Sequence, residues 1–213
     1  MSSSTHTSAV NWANPNQMIK AKKPRFRTFH LYEDIPRWKV ALAAVSLFLL
    51  GWYGWESISR YLALQYIPET DFPDKNGIIS QDTTFTCVPA AMAMFFLDEE
   101  IETTQYEIAR LAGTNMSGTS DRGIRKAAKY FGYKVAIRDL SYGEIMRYAR
   151  PLIIKERHEG TLHVTYVRPK TALGAMELLD PIDGYLVVRE RGFYEYFGKP
   201  GSRKKCYLFL KDD

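Results

Sequence analysis

At 213 residues, 46% hydrophobic and 25% charged, the chain holds one globular domain of about 100 to 150 residues plus flanking segments, and is too short for two large domains. Its net charge of +5 lies entirely in the first 39 residues, where seven bases (Lys20, Lys22, Lys23, Arg25, Arg27, Arg37, Lys39) face two acids, Glu33 and Asp34. The remainder is formally neutral and lacks the positive field of a nucleic-acid-binding domain, and two cysteines without CxxC or clustered Cys/His spacing support neither a disulfide scaffold nor a zinc or other metal site.

Residues 1–36 are polar, then basic, with no sustained apolar period, and read as a mostly disordered or peripheral tail. Residues 37–56 read as a transmembrane helix. From Val40 to Trp55 no residue is charged, the run is apolar on every face, and aromatics stand at both ends (Trp38; Trp52, Tyr53, Trp55). The excess of bases before the run places the N-terminus in the cytoplasm and the C-terminal domain in the periplasm or its equivalent. Residues 57–77 continue the helix to about Ile67 and then form a Pro/Asp-rich linker, "IPETDFPDKNG". The soluble domain is expected over 78–213.

Within it, helices come first. Thr86 is in place to cap a helix from Cys87 to about Asp98, a second runs from Thr104 to Leu111 and is closed by Gly113, and a third opens at Ser120 and is closed by Gly132. Ser141 with Glu144 makes a capping box for a fourth. Then come extended segments rich in β-branched and aromatic residues: "PLIIKE", "HVTYVR", "AMELLD", "YLVVRE" and "CYLFLK". The fold class is α+β, helices packed on an antiparallel sheet. The aromatic stretch "RGFYEYFG" reads either as sheet core with tyrosines at its rim or as a contact surface.

The chemistry concentrates in "QDTTFTCVPAAMAMFF". A cysteine in the first turn of a helix sees the positive end of the macrodipole, which favours thiolate over thiol, and a neighbouring imidazolium adds to that. Cys87 is therefore a candidate nucleophile; a buried structural cysteine is the alternative. A thiolate nucleophile needs a base and the base an orienting group. Of the two histidines downstream, His158 sits in a charged turn, "KERHEG", whereas His163 opens a strand. Asp180 ends a strand before Pro181, and neighbouring strands can bring it beside His163; alone, it would read as the start of the turn "DPIDG". Gln81, six residues before the cysteine, can supply a side-chain amide to an oxyanion, or be a surface glutamine.

These blocks, with "TSDRGIRKAAKYFGYKV", "PLIIKERHEGTLHVTYV" and "ELLDPIDGY" in order, resemble the papain-like cysteine peptidases that process bacteriocin leaders after a double glycine. The similarity covers about residues 78 to 211. It implies a papain-like fold with Cys87 as nucleophile, His163 as general base and acid, Asp180 as orienting residue and Gln81 as oxyanion donor, needing no cofactor and taking a peptide or protein substrate. Leu162 and Val164 stand where the family usually has a glycine before and an aromatic after the histidine. Many members are fused to an ABC transporter; this sequence holds no P-loop pattern, so transporter coupling is not carried over. The expected protein is a membrane-anchored cysteine peptidase. The alternative is a non-catalytic subunit of a membrane protein complex, and transfer of the acyl group to an amine instead of water stays open. Cys206, in an apolar strand, is expected to be a free core thiol not bridged to Cys87.

Overall fold

A computed structural model describes residues 36–158, 161–170 and 174–212; apart from Pro36, the expected N-terminal tail lies outside them. Helix α1 (Arg37–Gln65) runs unbroken through the expected span and most of the expected continuation. It is long and apolar enough to cross a membrane, and its most apolar window is unburied. Its last turns differ, because Ser59 and Ala63 are buried there and Ala63 packs with Ile67, Phe85 and Ala109. The linker after it is tied down: the Asp71 carboxylate accepts the Gln105 backbone N–H at 2.6 Å and its side-chain amide at 3.1 Å, and that amide also donates to the Ser80 carbonyl.

Helix α2 (Cys87–Asp98) is apolar all round and buried from Cys87 to Phe96, as a central core helix must be. Pro89 is tolerated because it lies in the first turn, where the N–H groups have no partner within the helix. Each fully buried Met or Phe here, such as Met92, Met94 and Phe96, adds about 1.5–3 kcal/mol. Two short helices pack beside it. In α3 (Gln105–Ala112), Thr104 accepts the Glu107 N–H and Gly113, at φ 66°, takes the left-handed closing position that glycine favours. In α4 (Asp121–Tyr130), Ser120 accepts the Gly123 N–H.

Strand β1 (Tyr133–Leu140) comes next, then helix α5 (Tyr142–Tyr148), where Glu144 accepts both the backbone N–H and the hydroxyl of Ser141 at 2.8 and 2.7 Å. After these stand β2 (Leu152–His158), β3 (Thr161–Lys170), β4 (Ala175–Asp180), β5 (Gly184–Val188), helix α6 (Glu190–Phe197) and β6 (Lys204–Lys211). The six strands form one sheet in the order β1-β6-β2-β3-β4-β5, and every neighbouring pair is antiparallel.

The sheet is buried on both faces, and strand alternation sorts its residues. Ile153, Val164, Tyr166, Tyr207 and Phe209 join the core with α2, α3 and α4. Leu152, Ile154, Val167, Leu178, Cys206 and Leu208 join the core with α5 and α6.

Four local expectations are corrected. "RGFYEYFG" is mostly helix α6, because Phe193 and Phe197, four residues apart, both bury on one side, and this outweighs aromatic strand preference. The strand expected to run through Glu190 stops at Val188. "YKVAIRDL" forms β1, unforeseen although Tyr133, Val135 and Ile137 alternate onto the core. His158 is the last residue of β2 instead of part of a turn.

Candidate active site

Cys87 is the first residue of α2, and the segment before it is shaped by its own polar side chains. Thr86, expected to cap the helix, does not: its hydroxyl donates to the Thr83 carbonyl and accepts the Thr83 N–H, each at 3.1 Å. With Thr86 turned back into that loop, the first-turn N–H groups beside Cys87 are left without a side-chain cap.

His163, on β3, meets Asp180, at the end of β4, across the sheet. The ring Nε2 lies 2.9 Å from both carboxylate oxygens. The thiol of Cys87 is a hydrogen-bond partner of the same ring. Because Nε2 is committed to Asp180, Nδ1 is the nitrogen left for the sulfur. Burial works against a charged ring here, but the bonds to Asp180 and Cys87 outweigh it and raise the histidine pKa to about 10. Three of the four expected site residues thus form one series, Cys87 to His163 to Asp180.

Asp180 is fully buried, and burial alone would favour its neutral form. Donors reverse that: besides His163, the Thr165 hydroxyl donates at 2.6 Å, the Ile182 and Asp183 backbone N–H groups at 2.8 and 3.0 Å, and the Tyr196 hydroxyl at 2.9 Å. Together they hold the carboxyl well below the usual range. Thr165 and Tyr196 escaped sequence reasoning. Thr165 had a signal, since it stands two residues after His163 and so on the same side of the strand; Tyr196 had none once its segment was read as sheet.

Gln81 is placed by its backbone, whose N–H donates to the Pro181 carbonyl at 3.1 Å and pins the loop before α2 to the turn after Asp180. It does not line the cleft at Cys87, and its side-chain Oε1 is buried without a hydrogen-bond partner. Glu156 was also missed. It pairs directly with His163 in the β2–β3 ladder, and its Oε1 is buried without a partner. Burial, opposed by the charge on His163 and reinforced by Asp180, pushes its pKa up to about 7.

A cleft of about 70 Å³ opens between Cys87 and His163, walled by Thr84, Phe85, Lys155 and Leu162 among others. The arrangement can do one kind of chemistry well: a sulfur nucleophile beside a proton-holding imidazole, which a carboxylate orients, at a helix mouth with free N–H groups.

Comparison with known proteins agrees with this geometry at the level of the fold. The model of the peptidase C39 family matches residues 75–199. Two archaeal proteins named only as uncharacterized are similar: one from Methanothermobacter thermautotrophicus is 28% identical over 125 residues, and one from Methanothermobacter marburgensis 32% identical over 120, each match covering 56% of this chain and 82% of the relative. Among solved structures, the peptidase domain of Streptococcus ComA, a bifunctional ABC transporter involved in quorum sensing, superposes with a TM-score of 0.52 at 18% identity, over 63% of this chain and 97% of that one. A double-glycine-motif protease from an AMS/PCAT transporter, solved with its leader peptide, also gives 0.52, at 16% identity over 63% and 90% of the two chains.

Proposed function

The chain belongs to the peptidase C39 family, and from that premise we propose that it is a membrane-anchored cysteine peptidase that cuts a peptide or protein at small residues. The observation that carries the reading is the Cys87, His163, Asp180 series, with the imidazole held between sulfur and carboxylate and its pKa raised to about 10.

Cys87 Sγ attacks the scissile carbonyl carbon, and the oxygen that gains the charge is received by the Cys87 backbone N–H and the Gln81 amide. His163, carrying the proton, passes it to the leaving amine as the C–N bond breaks, which leaves an acyl thioester on Cys87. The neutral ring then takes a proton from water as the water attacks the thioester; the acid product leaves, and the proton returns to the His163–Cys87 pair. Asp180 keeps the ring oriented throughout, and the donors from Thr165, Ile182, Asp183 and Tyr196 keep it ionised. Gln81 lies outside the walls of the cleft, and its role rests on the family match that spans it, its loop being tied to the turn after Asp180.

The cleft of about 70 Å³ has room for residues of glycine or alanine size, which supports a substrate like the leader peptide held by the double-glycine-motif protease of the AMS/PCAT transporter. Helix α1 is the proposed anchor, crossing the membrane with the basic N-terminus in the cytoplasm and the peptidase domain on the other side.

The test uses the full-length protein in detergent, a fluorogenic peptide with a Gly-Gly site and a thiol-directed peptide probe. Cleavage and labelling are expected to vanish in Cys87→Ala and His163→Ala and to persist in His158→Ala; an essential His158 or a dispensable Cys87 would sink the assignment. A protease added outside spheroplasts is expected to digest the domain and spare an N-terminal tag, and the reverse pattern would overturn the topology.

A further inference from the structure

Beside the cleft lies a cavity of about 630 Å³, and the two share Ser117, Gly118, Thr119, Lys155 and Leu162 in their walls. The cavity therefore adjoins the cleft, within reach of the side chains of a peptide lying across Cys87. Four cationic side chains line the cavity, Arg60, Arg122, Lys126 and Lys155, against one carboxylate, Glu56. After residue 39 the chain's bases and acids balance, so this is a local excess of positive charge.

Little on the protein's side neutralises it. Glu56 is already engaged, accepting from Arg60 at 2.9 Å and from Asn115 at 3.1 Å. Among the described residues, Lys155 has only a loose pairing with Asp121 at 3.7 Å, since that carboxylate also holds Lys205 at 2.6 Å and the Tyr207 hydroxyl at 2.7 Å. Among the described residues, Arg122 and Lys126 have no carboxylate within ion-pair distance. They stand four residues apart and so side by side on α4, with Arg122 in its first turn, where the helix dipole adds to the positive charge. Gly123 sets this wall in place: a Cβ there would lie 2.4 Å from the Ala112 carbonyl oxygen, so only glycine lets α4 start against the end of α3.

Resting on the peptidase reading, we infer that this cavity is a specificity subsite that takes aspartate or glutamate side chains of the peptide bound at Cys87. An anionic lipid headgroup would meet the same charges, and Arg60 lies on the proposed anchor helix. The wall shared with the Cys87 cleft favours the peptide, since a headgroup has no need of that connection.

The experiment compares fluorogenic peptides with one Gly-Gly site that differ only in carrying two Glu or two Gln residues, placed on either side of the scissile bond in separate pairs. With full-length protein in phosphatidylcholine nanodiscs, the Glu peptide of one pair is expected to be preferred. The double variant Arg122→Gln/Lys126→Gln is expected to narrow that preference by about three- to tenfold in kcat/KM. Raising salt to about 0.5 M should narrow it in the wild type as well. A control pair outside the cavity, Arg191→Gln/Lys199→Gln, should leave the preference as it was. Equal rates for Glu and Gln peptides in both pairs overturn the inference.

If no peptide is cut, the peptidase reading fails and the subsite is judged by binding alone. Anisotropy of fluorescein-labelled peptides on the Cys87→Ala protein should then show tighter binding of a Glu peptide, weakened about three- to tenfold by the double substitution. Indifferent binding overturns the inference. Binding of short-chain phosphatidylglycerol that the double substitution removes, with no discrimination between peptides, assigns the cavity to lipid headgroups and also overturns it.

Discussion

The mouth of α2 and the middle of β6 each hold a buried, free cysteine, and their surroundings differ in nearly every polar respect. Cys206 has no exposed surface, stands among apolar residues on the α5–α6 side of the sheet, and donates to the Lys204 carbonyl at 3.2 Å. Burial pushes its thiol up to about 12. Cys87 meets an imidazole that a carboxylate holds in place, opens onto a cleft, and starts a helix whose first turn has no side-chain cap. Exposure alone would class the two together; their chemistry is decided by the polar groups that burial leaves beside each sulfur.

The sharpest way to break this contrast is to exchange losses. Cys87→Ala is expected to abolish peptide cleavage in a protein that still unfolds cooperatively, while Cys206→Ala keeps its activity and loses about 1 kcal/mol to the small cavity left in the core. Cleavage assays and thermal melts on both variants check it, and an inactive Cys206→Ala that melts normally would erase the distinction. Next in size is Asp180→Asn, which keeps the shape and removes the charge that orients His163. It should cut kcat on the order of 10² to 10⁴-fold with a smaller change in KM.

The pH response sharpens the picture through Glu156. His163 is raised from its ordinary 6.5 to about 10, so its contribution to stability is complete below 6.5 and lost as pH rises through 10. Asp180 is depressed, so its contribution is present above its ordinary 3.8 and lost only in strong acid. Between about pH 3.8 and 6.5 the pair alone would give a plateau. Glu156, raised from 4.5 to about 7, binds a proton in the fold that the unfolded chain has released, so stability should decline as pH climbs from about 4.5 to 7. Melting temperature measured over about pH 4 to 6.5, below the range in which His163 contributes a slope of its own, should show that decline in the wild type and lose it in Glu156→Gln; an unchanged slope would remove Glu156 from the account. The smallest expected effect is that of Tyr196→Phe, which takes one donor from Asp180 and should cost about 1 kcal/mol of stability and a few-fold in kcat.

What could be read from the sequence was local chemistry with a short reach. Thr104 before Glu107, the glycine at 113, and the Ser141 to Glu144 spacing mark helix ends by bonds made within a few residues, and those bonds form. The period-2 pattern of β2 to β4 and β6 carried the sheet, and the order of cysteine, histidine and aspartate carried the family. The failures are a local competition for one hydroxyl and several effects of longer range. Thr86 is a reasonable cap by type, yet Thr83 captures its hydroxyl. The tyrosines and phenylalanines of α6 favour a strand until tertiary packing selects a helical face, and Tyr196 reaches Asp180 only because that helix lies on the right side of the sheet. Glu156 carries no special signal at all; its weight comes from the register that sets it opposite His163.

Strand β6 lies between β1 and β2, although it is the sixth strand made. During synthesis, β2, β3 and β4 can pair as hairpins as they leave the ribosome, but β1 has no sheet partner until residues 204–211 emerge. The inward edge of β2 stays open for the same interval. A nascent chain therefore holds Cys87 long before the sheet that seats His163 is closed, so the proposed peptidase activity should come late, after most of the domain has been translated, and a premature stop before β6 should leave an open edge prone to aggregation.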